Sequence, residues 1–415
     1  MPQMSAQTER KMKRWQEQRW ILDAIVREVG VEWDQNRIGY TLGPCGMEAM
    51  GDFMGVRARV RKFTDVSREF GRAAARREAI AHRFDAEGRT VSAGENFFVA
   101  ALLYESARWS IFENTPENIA LNEKKVACYA KYAQYAAHEM RRVEIPFEGK
   151  SLPAYLHFPS RRPAGKLPCV LAIPGMDTYK EMLVAMYGDK FLERGMAVLA
   201  LDGPGQGECC VRDIKLTATN YKDAGRAALA WMRGQAEIDP DRLGVFGISF
   251  GSFWATQVAS IDDRIKGCAV AFVCHEPGGN TIFNMASPTF KLRFMYMAGY
   301  DNEDEFDAFA RALTLVGDGA AIKAPYLVIA GEDDDLSPIE YTYDLLNEVT
   351  APKELLLYQG EMHGLNTTTS SALGPAWLTY SAEWMKDRLD GKPMETRHAM
   401  VNMVGQVVPF EIPRR

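Results

Sequence analysis

Ser249 stands between two glycines, in Gly247-Ile248-Ser249-Phe250-Gly251. A serine hydroxyl is a poor nucleophile until a base removes its proton, and the base needs a carboxylate to hold it in one tautomer. The chain has only six histidines. Three of them, His275, His363 and His398, follow the serine. His363 lies in YQGEMHGLN, just past the apolar run ELLLY, where a loop leaves the top of a strand. Position favours it as the base. His275, just after another apolar run, is the reserve, and His398 falls in a polar stretch read as a tail outside the core. The carboxylate is expected at the end of the strand between serine and histidine. PYLVIAGEDDDLSP offers Asp333, Asp334 and Asp335 there. A strand, Gly331, an acid three residues on and then Pro338 favour Asp334. The other two read as solvated loop acids.

A carbonyl attacked by Ser249 becomes an oxyanion, which needs donors already in place. The backbone N–H of Phe250, directly after the serine, is one expected donor. The N–H of Met176, in the loop after CVLAIPG, is the other. DGPGQGE (202–208) is glycine-rich too. It lacks the Lys-Ser/Thr of a phosphate loop and does not match GxGxxG. It reads as a tight loop beside the site. No metal or organic cofactor is required by this chemistry, and no CxxC pair or Cys/His cluster suggests a metal.

These groups must be positioned by strands and helices. LGVFGI before the serine reads as a buried strand and SFWATQVAS after it as a helix, the strand-turn-helix context of a nucleophile elbow. The turn is sharp, so strand and helix pass close together, and only small residues fit at 247 and 251. PCVLAIPG, GMAVLALDGPG, IKGCAVAFV, PYLVIAGED and ELLLYQG are further apolar runs. They alternate with helical patterns such as NYKDAGRAALAWMRGQ. Such alternation implies a mostly parallel sheet covered on both faces. RRVEIPFEG and LPAYLHFPS read as a hairpin with a Gly-Lys turn. Residues 276–322 are too long for one crossover and too apolar for a loop, and are expected to form an inserted helical cap. Its segment FNMASPTFKLRFMYMAGY is rich in aromatic and methionine residues that suit an apolar pocket or simple packing.

Residues 1–140 read as helical, with Ser92 expected to cap a helix whose buried face runs through Phe97, Ala101, Leu102 and Tyr104. The expected organisation is a helical domain (1–140), a catalytic domain (141–393) and a C-terminal tail (394–415). At 415 residues, two domains are the natural division. The formal net charge of -6 and the lack of a basic stretch argue against nucleic-acid binding. The charged first thirty residues lack the apolar core of a signal peptide, and no apolar stretch approaches 18 residues. Seven scattered cysteines argue against a disulfide framework and fit a reducing cytoplasm.

PGMDTYKE (174–181), DGPGQGE, GISFG and GEDDD…EMHG together resemble the α/β-hydrolases that carry an N-terminal helical domain. That group includes 2,6-dihydroxypseudooxynicotine hydrolase and the fermentation-respiration switch proteins. GRTVSAGENFFVAALLYESAR resembles their helical domain, so the likeness runs from about residue 65 to 390. The order Ser249, Asp334, His363 is that of the fold. The resemblance implies an α/β-hydrolase fold, a pocket closed by helical domain and cap, and a homodimer. It implies hydrolysis of a C–C bond beside a ketone in an aromatic or polyketide-like substrate, or of an ester, with acyl transfer as a variant. Asp177, Tyr179 and Glu276 are the implied substrate-binding positions. Glu276 matches the cap-side carboxylate that assists C–C cleavage, and Thr178-Tyr179 departs from the group's usual pattern after PGMD. The partner is a small hydrophobic or aromatic molecule, not nucleic acid or membrane. A hydrolase-like protein that binds without catalysis is the rival, against which an intact triad argues.

Overall fold

The computed structural model describes residues 13–33 and 37–413. Among the described residues six helices come first: α1 (Lys13–Val29), α2 (Arg37–Cys45), α3 (Met50–Arg59), α4 (Asp65–Ala86), α5 (Thr90–Arg108) and α6 (Pro116–Tyr135). α5 is buried almost all round from Ala93 to Arg108, not on one face as the sequence suggested. A helix apolar on every side is the centre of its bundle. Ser92 does not cap it. Arg89 occupies that position, and the Ser92 carbonyl accepts from Asn96 Nδ2 at 2.9 Å inside the helix. α6 does have a side-chain cap, with Thr115 Oγ1 accepting the Asn118 N–H at 3.1 Å and Pro116 in the first turn.

The chain then enters a sheet of ten strands ordered β1-β2-β4-β3-β5-β6-β7-β8-β9-β10. β1 (Met140–Phe147) and β2 (Lys150–His157) form an antiparallel hairpin. Its turn is Glu148-Gly149, both at positive φ (47° and 74°), which matches the twist of the strands. The expected Gly-Lys turn is therefore one residue too late. β3 (Leu167–Ile173), β4 (Ala197–Leu201), β5 (Ile238–Ile248), β6 (Gly267–Ala271), β7 (Tyr326–Gly331) and β8 (Lys353–Tyr358) are mutually parallel. β3, β4, β6 and β7 are buried along their whole length, which is why they read as continuous apolar runs.

Alternate residues serve opposite faces. Val170 and Ala172 pack with α7 (Lys180–Met186) on one side. Leu171 and Ile173 pack with α8 (Asn220–Arg233) and α9 (Phe250–Ala259) on the other. Between β6 and β7 the chain is helical, as read from the sequence. It makes a 3-10 turn (Pro277–Gly279), a π-helical turn (Thr281–Met285), α10 (Pro288–Ala298) and α11 (Glu303–Ala310). The cap's aromatic residues are packing material. Phe294 lies 4.6 Å from Phe250 and 4.8 Å from Phe283, centroid to centroid. α12 (Ile339–Glu348) follows β7, and α13 (Trp377–Leu389) closes the Val170 face.

The polar tail expected at 394–415 is not a tail. β9 (Arg397–Val401) pairs parallel with β8, and β10 (Val407–Pro409) pairs antiparallel with β9. Ala399 and Val401 are buried while Arg397 is exposed, so the alternation is that of a strand with one covered face, masked by its shortness. His398 sits in this strand beside Leu355. All seven cysteines are unpaired thiols.

Candidate active site

β5 runs into α9 through Ser249, whose backbone is at φ 53°, ψ -131°. Such a conformation costs a non-glycine residue about 1–3 kcal/mol and persists only where the surroundings impose it. The glycines on either side are part of that imposition. A Cβ at Gly247 would meet the Gly251 carbonyl oxygen at 2.2 Å, and one at Gly251 would meet the Ile173 oxygen at 2.5 Å and that of Pro174 at 2.6 Å. The Ser249 N–H donates to Ala271 O of β6 at 3.0 Å, which ties the turn to the sheet.

Loops from β7 and β8 bring the two partners. His363 Nε2 lies 3.0 Å from Ser249 Oγ. His363 Nδ1 lies 2.9 Å from Asp334 Oδ2 and 3.2 Å from Oδ1. Asp334 Oδ1 also accepts the N–H groups of Leu336 (2.9 Å) and Ser337 (3.0 Å), which fixes the carboxylate as an acceptor. Of the three neighbouring acids only Asp334 is buried, and Asp333 and Asp335 are exposed. Asp335 instead accepts the His363 backbone N–H at 3.3 Å. Burial opposes a charged imidazole at His363, but the carboxylates of Asp334, Asp335 and Asp177 outweigh it and raise its proton affinity.

The other histidines lie elsewhere. His275 is buried against Thr342 of α12 (Nδ1 to Oγ1, 3.1 Å), and burial pushes it down to about 3. It is a neutral structural side chain. His398, on β9, is likewise pushed down, by burial and by Lys353.

The loop after β3 passes against the serine, since a Cβ at Gly175 would lie 3.0 Å from Ser249 Cβ. Met176, the next residue, is buried. The loop is held from within by Thr178 Oγ1, which accepts the Gly175 N–H at 2.6 Å. It is held from outside by Gln206 of DGPGQGE, whose Nε2 donates to Pro174 O (2.6 Å) and Gly175 O (2.9 Å). The glycine-rich loop is thus a brace for the β3 loop. The Phe250 N–H opens α9, where no intrahelical acceptor exists.

Several side chains were not foreseen. Cys274, just beyond β6, donates its backbone N–H to Ser252 Oγ at 2.9 Å, and burial holds its thiol protonated. The signal available was its place at the end of AVAFVC. Tyr40 of α2 donates its hydroxyl to Asp177 Oδ2 at 2.8 Å, so the helical region reaches the charge that acts on His363. Glu276 adds to the field on Cys274, and its Oε2 accepts the Thr281 N–H at 2.7 Å. Asp177 and Tyr179 line a cavity completed by Tyr40, Glu105, Trp109 and Arg293. Among the described residues no group of three His, Cys, Asp or Glu side chains is set to hold a metal ion, and no helix is long and apolar enough to cross a membrane.

Comparison with known proteins gives this arrangement a family. The chain is 32% identical over 203 residues to the α/β hydrolase gkaG of Penicillium citrinum, covering 46% of this chain and 47% of that one. It is 27% identical over 245 residues to the α/β hydrolase xenA of Xenoacremonium sinensis, covering 57% of each. The match thus spans about half the length of these two relatives. It is 26% identical over 348 residues to the 2,6-dihydropseudooxynicotine hydrolase of Paenarthrobacter nicotinovorans, covering 81% of this chain and 88% of that one. Among solved structures, that of 2,6-dihydroxy-pseudo-oxynicotine hydrolase superposes with a TM-score of 0.73 at 24% identity, over 86% of this chain and 99% of the other. AbyA5 superposes at 0.60 and 16% identity, over 83% and 94%. Both share the α/β-hydrolase fold. The profile of the FrsA-like family, described as "Esterase FrsA-like", matches residues 74–299, more than half of the chain, and on that ground the chain belongs to the FrsA-like family.

Proposed function

We propose that the chain is a serine hydrolase that cleaves a C–C bond adjacent to a ketone in an aromatic or polyketide-like substrate. Ser249 is the nucleophile, His363 the general base and Asp334 the group that orients it. The observation that carries this reading is the 3.0 Å approach of His363 Nε2 to Ser249 Oγ, with Asp334 on the opposite ring nitrogen. In the first step Nε2 takes the hydroxyl proton as Oγ bonds to the carbonyl carbon. The N–H groups of Phe250 and Met176 receive the oxyanion. Collapse breaks the bond to the leaving carbon, whose electron pair passes into a neighbouring carbonyl as an enolate. The proton held by His363 returns to that fragment, and water then releases the acyl group by the same route. Glu276 stands beside Cys274 in this scheme, as the carboxylate that orients the water through which that proton passes from His363 to the leaving carbon. The relative from Paenarthrobacter nicotinovorans, matched over 88% of its length, supports the C–C reading.

Ester hydrolysis on the same triad is the second reading, favoured by the esterase description of the family. It needs no acid at carbon, because an alkoxide takes its proton from His363 directly. A fluorophosphonate probe is expected to label Ser249 alone. Labelling elsewhere, or none, would favour a binding protein. A panel of p-nitrophenyl esters and aryl 1,3-diketones separates the two chemistries. Turnover of diketones is expected, and fast ester turnover with inert diketones would sink the C–C reading.

A further inference from the structure

The cavity beside Asp177 is built around charge. Glu105 of α5 pairs with Arg108 (2.5 Å) and Lys125 (3.2 Å), and Lys125 reaches Glu181 at 3.4 Å. Lys180 joins Glu181, Asp202 and Glu208 at 2.7, 2.9 and 3.0 Å. Arg142 and Arg212 bind Glu208 and Glu144. Arg293, on the cap helix α10, is the last cation in this chain. Its nearest carboxylate oxygen, Glu105 Oε1, is 4.0 Å away, beyond hydrogen-bonding distance. Glu105 does not lack for partners. Although burial works against its charge, Arg108, Lys125 and Arg293 hold it down at about 2.

Arg293 is nonetheless buried, with its side chain 5% exposed. Its guanidinium lies over the rings of Trp109 (5.8 Å) and Tyr296 (5.5 Å). Its Nε has no hydrogen-bond partner, and neither has the buried hydroxyl of Tyr179. Both residues line the same cavity. A buried donor left unpaired costs about 1–3 kcal/mol, more when charged, so two facing one cavity call for an acceptor. Counted by where a water's centre can go, the cavity leaves about 40 Å³, several times the roughly 10–15 Å³ one water needs.

We infer that Arg293 and Tyr179 form an anion subsite that takes a carboxylate on the substrate. This deepens the hydrolase reading and rests on it for the word substrate. The planar guanidinium fits the two oxygens of a carboxylate, and its charge, with the unpartnered Tyr179 hydroxyl, supplies the attraction. Asp177 lines the cavity, where Tyr40 holds its Oδ2, and its charge also reaches His363. Its charge turns the substrate's own carboxylate toward Arg293 and leaves the reacting carbonyl near the serine.

Binding is tested first in Ser249→Ala, by calorimetry with glutarate. We expect saturable binding, weakened at least tenfold by adding Arg293→Met. Tyr179→Phe removes a hydroxyl with no partner, so it is expected to weaken glutarate binding severalfold without lowering the melting temperature. A purely structural tyrosine would lower the melting temperature and leave glutarate binding unchanged. In protein with Ser249 intact, the kcat/KM ratio of p-nitrophenyl hemiglutarate to p-nitrophenyl pentanoate should fall at least tenfold in Arg293→Met, and less in Arg293→Lys. If Arg293→Met does not fold, Tyr179→Phe and Arg293→Lys carry the test. Absence of glutarate binding to Ser249→Ala, or an equal loss on both esters, overturns the subsite. Glutarate binding with no fluorophosphonate labelling of Ser249 keeps the subsite and removes the hydrolase.

Discussion

At one end of the site, Ser249, His363 and Asp334 are joined in a row by contacts of 3.0 and 2.9 Å, and Asp334 is held again by two backbone N–H groups. At the other end, Arg293 and Tyr179 carry polar atoms that meet nothing. Local steric demand builds the first: a positive φ at Ser249 and glycines whose Cβ atoms have no room. The second is built by a chain of charges, buried from Glu105 to Glu208, that joins the helical region to the sheet. The difference teaches that chemistry needs groups pre-oriented before substrate arrives, whereas recognition leaves part of its bonding for the ligand to complete.

The sharpest way to break the comparison is at the completed end. Ser249→Ala is expected to reduce kcat by a factor on the order of 10⁴ or more, and Asp334→Asn by about 10⁴, with the fold retained in both. Near-normal turnover by either variant would show that the row of contacts is not the machine. Next in size is the ionic chain. Lys125→Met removes a cation from between Glu105 and Glu181. We expect a loss of about 3 kcal/mol in urea unfolding, at the low end for a broken buried pair because each carboxylate keeps another cation. The same protein tests the pH dependence. Glu105 is ordinarily protonated near 4.5 and is held at about 2 in the fold, so unfolded chains bind more protons in that window. Stability should drop as pH falls from 4.5 toward 2, and less steeply in Lys125→Met. A slope that the substitution leaves unaltered would remove Glu105 from the account.

The smallest effect joins the two ends. Asp177 lies in the cavity and also raises the proton affinity of His363. Because the base works unprotonated, the acidic limb of kcat/KM should lie above the ordinary imidazole range. Asp177→Asn should move it to lower pH. A limb that stays put would mean the two ends act independently.

What the sequence made legible follows the same division. Two glycines flanking a serine at a strand-helix junction declare a local steric problem. Gly331 is similar, since a Cβ there would sit 2.3 Å from Glu361 O, and it sets the loop that delivers Asp334. Arg293, Glu105 and Tyr40 declared nothing. Tyr40 and its partner Asp177 are 137 residues apart, and neither residue type nor spacing encodes such a meeting. Ser92 was misjudged as a cap because the residues before it, Thr90 and Val91, are already helical. The strand at 397–401 was hidden because its pairing with β8 is a long-range fact and two of its five residues, Arg397 and His398, are polar.

That last strand has a practical consequence. β9 satisfies the backbone of β8, whose Leu355, Leu356 and Leu357 are fully buried. A protein shortened to end before Arg397 would keep every group assigned to catalysis. It would also present a bare, apolar ribbon edge with unsatisfied amides, a template onto which another molecule can stack. Such a truncation should fail by precipitation during expression and not by slower turnover.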